Sequence, residues 1–341
     1  MNDNRNRQPR RGGYTSNFTL VCLLVIAVLV IINVKIFSGI IAKNPDIDII
    51  YNREEDPAAK EEAKRKAALQ KELETSFIKF TASSADTKCG NLVLVNNSTA
   101  FDFDAVPKIV EKAPLVTFSG RQSDKYTVSY PAKEMMTKEA MDAFNALAED
   151  FYTQTGHADL FMLDSYRSYE DQQRVYLNKG SEIATLPGHS EHHTGLAFDL
   201  DLYINGRVAD FDGTGDYKWV HDNCYKYGYV LRYPHDKTEV TEISYEPWHL
   251  RYVGKEHAYY MYTNNLCLEE YIGLLKRYTL DSERLIFTTD DGVQYMIYSQ
   301  PVHGDSAEIY LPKNHEYNIS GDNSGNIIIS AILSDESGQV E

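Results

Sequence analysis

The sequence predicts an α+β fold: a small antiparallel sheet flanked by helices, with an N-terminal transmembrane helix before it and a small C-terminal β region after it. Three observations predict it. "TKEAMDAFNALAEDFYTQTG", from Thr137, puts Met141, Phe144, Leu147 and Phe151 on one face of a helix. "LAFDLDL", from Leu196, alternates as a strand with one wet face does. Beyond residue 281 the pattern turns to short strands broken by turns.

The chain has 341 residues, 43% apolar and 25% charged, which suits one large domain with accessories. Its start is a basic tail, 1–17, with Arg5, Arg7, Arg10 and Arg11. From Phe18 to Val34 no charge appears, and "KIFSGIIA" prolongs the apolar character, so a membrane span is expected over 18–42. A cleaved signal would have a core of about 7–15 residues and a small-residue site after it. Here the run is longer and that pattern is poor. Cys22 sits in the wrong context for a lipoprotein cysteine. The reading is an uncleaved single-pass anchor, N-terminus in the cytoplasm by the basic tail, with the rest outside the membrane.

Residues 43–78 read as a polar linker and a charged helical stalk. In "AAKEEAKRKAALQKELE", Glu61 with Arg65 and Glu62 with Lys66 stand four apart in the favourable order, and the apolar stripe is thin. The main domain is expected over 79–280. "NLVLVNN" reads as a short strand, followed by a polar stretch to about residue 135. Thr137 caps the amphipathic helix and Gly156 ends it. "DLFML" is a buried strand. "SYEDQQRVYLNKG" is the next helix, with Ser168 as N-cap and Gly180 at its end, which leaves Arg167 at a strand-to-helix corner. "KWVHDNCYKYG" is a third helix, "YVLRYP" and "YEPWHLRYVG" are strands, and "CLEEYIGLLKRY" closes the domain. The β region, 281–341, opens with a hairpin around Asp291–Gly292 and continues through "AEIYLP" and "NIIISAIL".

A net charge of −16 argues against a nucleic-acid partner, which needs clustered Lys and Arg. None of the four cysteines forms a CxxC pair. The sequence leaves open a Cys224–Cys267 disulfide or free thiols.

The chemistry concentrates in "PGHSEHHTGLAFDLDL", Pro187 to Leu202. His192 and Asp199 are seven apart, so on one uninterrupted strand they would face opposite ways. Gly195 between them permits a turn, after which Asp199 can return to the side of His192. "EPWH" places Glu246 three residues before His249. An ion held by His192, Asp199 and His249 would have two nitrogens, one oxygen and an open position, the pattern of catalytic zinc. Glu246 would be the base for an attacking water.

These residues carry a resemblance. "SEHHTGLAFD" fits SxHxxGxAxD and "YEPWHLRYVG" fits ExWH, two motifs of the VanY-type D-alanyl-D-alanine carboxypeptidases; "YRSYEDQ" and "YGYVLRYP" resemble two further signatures. The resemblance spans about residues 90 to 275 in motif order, and leaves out the stalk and the C-terminal β region. It implies a Zn2+ peptidase trimming the D-Ala terminus of peptidoglycan stem peptides. The metal ligands would be His192, Asp199 and His249, and the general base Glu246. Arg167 would stabilise the oxyanion, with binding of the substrate carboxylate as the lesser alternative. Gln172, Ser168 and Ser190 would lie near substrate. An L,D-carboxypeptidase acting on tetrapeptide stems and a catalytically silent wall-binding module stay open as alternatives. The topology implies a bacterial, Gram-positive cell membrane with the catalytic domain extracellular. The remaining histidines read as surface or supporting groups, among them His221 and His235 as solvated.

Overall fold

The computed structural model describes residues 57–180 and 184–334. The expected basic tail and membrane span, 1–42, and the linker up to residue 56 lie outside the described residues. Among those described, no helix is long and apolar enough to cross a membrane. The chain divides into two compact units, 1–65 and 66–341. The charged helix α1, Pro57–Ser76, buries no residue along its length, as a thin apolar stripe requires. Its second half belongs to the larger unit, where Glu72 takes two hydrogen bonds from Arg284, at 2.6 and 3.0 Å.

The main sheet contains β3 (Tyr126–Val128), β5 (Leu160–Asp164), β6 (Ala197–Ile204), β9 (His249–Tyr252) and β8 (Tyr229–Leu231) in that spatial order, with β7 (Arg207–Asp210) also on β6. It is antiparallel except at one edge, where β3 runs parallel to β5. That exception corrects the purely antiparallel expectation. Its cause is the crossover: the helix α2, Lys138–Thr155, lies between the two strands, and a parallel pair needs such a connection.

α2 forms where its periodicity places it. Thr137 is the N-cap and Gly156, at φ 76, ends it in the left-handed conformation. Met141, Phe144, Leu147 and Phe151 are fully buried against Phe198 and Leu200 of β6. The Phe144 and Phe198 rings lie 4.6 Å apart. The next helix, α3 (Tyr169–Lys179), starts with a capping box between Ser168 and Asp171. The α2 core fixes β6, and with it Asp199. The third helix is shorter than its pattern: α-helical over Lys218–Asn223, then a tighter turn over Cys224–Tyr227 that stops at Gly228.

"NLVLVNN" is not a strand. Leu92, Val93 and Val95 are buried, as their apolar character asks. The backbone there pairs with side chains instead: Leu92 N–H donates to Ser320 Oγ, and Arg251 donates to the carbonyls of Asn91 and Val93. Buried peptide groups need partners, but not a sheet.

After the helix Leu268–Leu275, β10 (Leu285–Thr288), β11 (Gln294–Pro301), β14 (Asn326–Ser334) and β13 (Tyr317–Gly321) form a four-stranded antiparallel sheet in that order. The β12 strand, Ser306–Pro312, pairs with β1, Phe77–Ser83, whose Phe77 stands opposite Pro312. Leu92, Tyr271 and Leu275 share one buried cluster with Leu285, Ile297 and Ile328 of this region. Cys89, Cys224 and Cys267 are buried free thiols.

Candidate functional site

His192 lies in a tight turn, Glu191–Thr194, that ends at Gly195 with φ 69. The left-handed residue swings the chain into β6, and so resolves the odd spacing to Asp199. The Nδ1 of His192 donates to Ser165 O at 2.5 Å, which leaves Nε2 available, 3.4 Å from Asp199 Oδ2. Asp199 and His249 stand directly opposite each other on β6 and β9. The His249 Nδ1 is 2.8 Å from Asp199 Oδ1. One donor atom from each of the three residues lies within 4.8 Å of the others, close enough to share a metal ion.

Electrostatics support the same set. Burial would raise the Asp199 carboxyl, but the two imidazoles beside it hold it well below the usual range. Burial works against a charged His249 ring, yet Asp199 and Glu191 push its pKa up to about 9. Two imidazole nitrogens and one carboxylate oxygen suit zinc. The far side of His249 fits too. Its Nε2 and the Glu191 Oε2 are both buried without a hydrogen-bond partner, 3.5 Å apart. Once Nδ1 is given to a cation, Nε2 must carry the proton and faces a carboxylate, as metal-bound histidines commonly do.

Glu191 was a filler position in the motif, yet it anchors a charge cluster. Its Oε1 accepts from Arg232 Nε and from Arg251 Nη1, both at 2.8 Å. Arg232 also forms two bonds to Glu269, at 2.8 and 2.6 Å. Burial would raise the Glu191 carboxyl, and the two guanidinium groups hold it far down instead. The sequence signal was there: an arginine inside "YVLRYP" and another inside "WHLRYV", in strands otherwise fit for a core, both require a buried partner.

Glu246 sits on the loop before β9, half-buried, with Oε2 4.0 Å from His249 Nδ1. Burial raises its carboxyl, and the Asp199 charge adds to this against the pull of His249, His192 and Arg167. Arg167 is held on three sides: Nε to Asp164 at 2.8 Å, Nη1 to Gln172 at 3.0 Å, and Nη2 to Asp199 at 3.2 Å. A guanidinium has five N–H groups, so two remain for a ligand. Gln172 is itself fixed by its bond to Thr185 O at 2.8 Å. Arg167, Gln172, Ser190, His192, Asp199, Glu246 and His249 all line one cavity of about 690 Å³. Ser168 is not among the lining residues; its hydroxyl is engaged with Asp171 at the start of α3.

Two further histidines support the site. His193 donates from Nδ1 to Arg167 O at 2.7 Å and accepts Gly188 N–H on Nε2 at 3.0 Å, so it fixes the backbone of the arginine. His221 is not solvated as expected: its Nε2 donates to Pro247 O at 2.7 Å, under the turn between Glu246 and His249. Gly213 admits the ring, since a Cβ there would lie 2.0 Å from it.

Known proteins resemble this chain. The family model described as "VanY: D-alanyl-D-alanine carboxypeptidase" matches residues 133–255. A D-alanyl-D-alanine carboxypeptidase of Enterococcus faecium is 34% identical over 245 residues, 71% of this chain and 75% of its own. The putative carboxypeptidase YodJ of Bacillus subtilis (strain 168) is 42% identical over 155 residues, 42% of this chain and 56% of its own. The crystal structure of the vancomycin resistance D,D-dipeptidase VanXYg, in complex with a D-Ala-D-Ala phosphinate analog, is similar at a TM-score of 0.64 and 29% identity, covering 75% of this chain and 99% of that one.

Proposed function

The chain belongs to the VanY family of D-alanyl-D-alanine carboxypeptidases, and from that premise we propose that it is a zinc D,D-carboxypeptidase removing the terminal D-alanine of peptidoglycan stem peptides. The observation that carries this reading is the convergence of His192, Asp199 and His249 with Glu246 in one cavity. A zinc ion bound there supplies Lewis acidity to the scissile carbonyl and lowers the pKa of water. The remaining work falls to side chains. Glu246, whose carboxyl burial raises above its ordinary value, takes a proton from the attacking water and returns it to the departing amine. Arg167, with two N–H groups to spare, stabilises the oxyanion that develops on the carbonyl. Gln172 and Asp164 keep its guanidinium in place. Ser190 contributes to the cavity wall.

The deciding assay incubates the zinc-loaded chain with a pentapeptide stem ending in D-Ala-D-Ala and with a tetrapeptide ending in one D-Ala, and follows free D-alanine. Release from the pentapeptide alone is expected. Release from the tetrapeptide alone would make it an L,D-carboxypeptidase. No release from either, with zinc bound, would make it a silent binding module. The anchor over 18–42 belongs to the same proposal: the chain should stay with membranes through carbonate extraction, and its catalytic part should be open to protease added outside whole cells.

Zinc must displace the proton that Asp199 and Glu191 hold on His249. That proton is present below a pKa of about 9. Apparent zinc affinity is therefore expected to weaken as pH falls from 9, by up to about tenfold per unit for one displaced proton. Competition with a chelating dye between pH 6 and 9 reads this directly; a flat profile would remove His249 from the ligand set.

A further inference from the structure

The loop 94–100 joins the C-terminal sheet to the cavity. Asn323 lies in the turn after β13, buried, with φ 60, a conformation that only a residue such as Asn or Gly adopts readily. Its side-chain amide donates to both ends of the loop, to Leu94 O at 2.8 Å and to Ala100 O at 2.9 Å. Its own N–H donates to Thr87 O at 2.7 Å. One amide thus clasps the loop at its base.

The tip is fixed against the site. Asn96 and Thr99 exchange backbone hydrogen bonds at 3.0 and 3.2 Å. The Asn96 carbonyl accepts from His189 Nδ1 at 2.8 Å, and its amide donates to Glu269, the second partner of Arg232. Just past the loop, Phe101 N–H donates to Gly188 O at 2.8 Å. Between these fixed points Asn97 lines the cavity. Its Nδ2 lies 3.5 Å from Glu242 O, on the rim that leads to Glu246, in an exposed contact at the limit of hydrogen bonding. A side-chain amide with a loose partner offers a donor and an acceptor together, which matches one peptide group of a substrate. A cavity of about 690 Å³ is larger than a D-Ala-D-Ala terminus fills, which leaves room beside this wall for chain upstream of the scissile bond.

We propose that Asn97 is a specificity-determining residue that binds the stem backbone upstream of the amide carried on the terminal dipeptide, and that Asn323 of the C-terminal sheet is its positioning residue. The C-terminal β region then sets which stem length the enzyme prefers. This rests on the peptidase reading given above.

The test uses the full chain with zinc and two substrates, a pentapeptide stem and N-acetyl-D-Ala-D-Ala. Asn97→Ala is expected to raise the pentapeptide KM about five- to tenfold, the worth of one or two neutral hydrogen bonds. Its kcat should stay within about twofold, and the short substrate should be unaffected. Asn323→Gly keeps the positive φ without strain and removes only the amide. It should reproduce the same split and speed hydrogen exchange over residues 94–101. Equal losses on both substrates, or no change on either, would overturn the proposal and leave Asn323 a stabilising clasp. Failure of the peptidase reading shows separately, as no D-alanine from the unaltered chain. Pentapeptide binding by calorimetry then decides: weaker binding by Asn97→Ala supports the proposal, and unchanged or absent binding overturns it.

Discussion

Glu246→Gln is expected to lower kcat by about 10²–10⁴ while the protein keeps its zinc. The side chain keeps its size and loses only the ability to exchange a proton. Glu246 lies outside the donor group of His192, Asp199 and His249, so metal content should not change. Burial holds the Glu246 carboxyl above its ordinary value, which makes it a stronger base than a free carboxylate. Zinc measured by atomic absorption and D-alanine release measured on the same sample separate the two roles. Loss of zinc along with activity would make Glu246 a ligand. Full activity in Glu246→Gln would place the base elsewhere.

Glu191→Gln is expected to cost about 3–5 kcal/mol of stability, because it leaves buried charge uncompensated. Arg232 keeps Glu269 as a charge partner, but Arg251 keeps only neutral acceptors, the carbonyls of Asn91, Val93 and Tyr252 and the oxygen of the new amide. Both guanidinium groups are almost fully buried. Denaturant unfolding reads the loss. Adding Arg251→Met should recover part of it, since the second change removes the orphaned charge. If the double variant were less stable than Glu191→Gln by the full cost of Arg251→Met alone, the two residues would not be coupled. Zinc affinity should also fall, by about 10–100-fold, because Glu191 faces the far nitrogen of His249.

What the sequence disclosed was what acts locally. Caps at Thr137 and Ser168, stops at Gly156 and Gly228, and the alternation from Ala197 to Leu202 depend on neighbours a few positions away. The metal group was legible because one glycine explains its odd spacing. The cluster around Glu191 was not, since Arg232, Arg251 and Glu269 are brought to it by three separate elements, and periodicity carries no information about such meetings. The same holds for "NLVLVNN", whose apolar pattern announced burial while its backbone partners came from Arg251 and Ser320. "FIKFTAS", partly assigned to the stalk, is a strand only because Ser306–Pro312 lies beside it.

That last pairing governs the order in which the molecule can be completed. Ribosomes deliver β1 early and β12 late, and among the described residues β1 has no other strand partner. From its own emergence until residues 306–312 follow, β1 is a solitary ribbon with Phe77 and Ala82, buried in the finished fold, still unshielded. Closing so long a loop is slow, and unpaired edges of this kind recruit other chains. Nascent molecules therefore pass through a sticky interval whose length is set by elongation through residues 84–312, about two-thirds of the chain. A stop codon ahead of Ser306 would make that interval permanent, even with every residue of the metal cavity already in place.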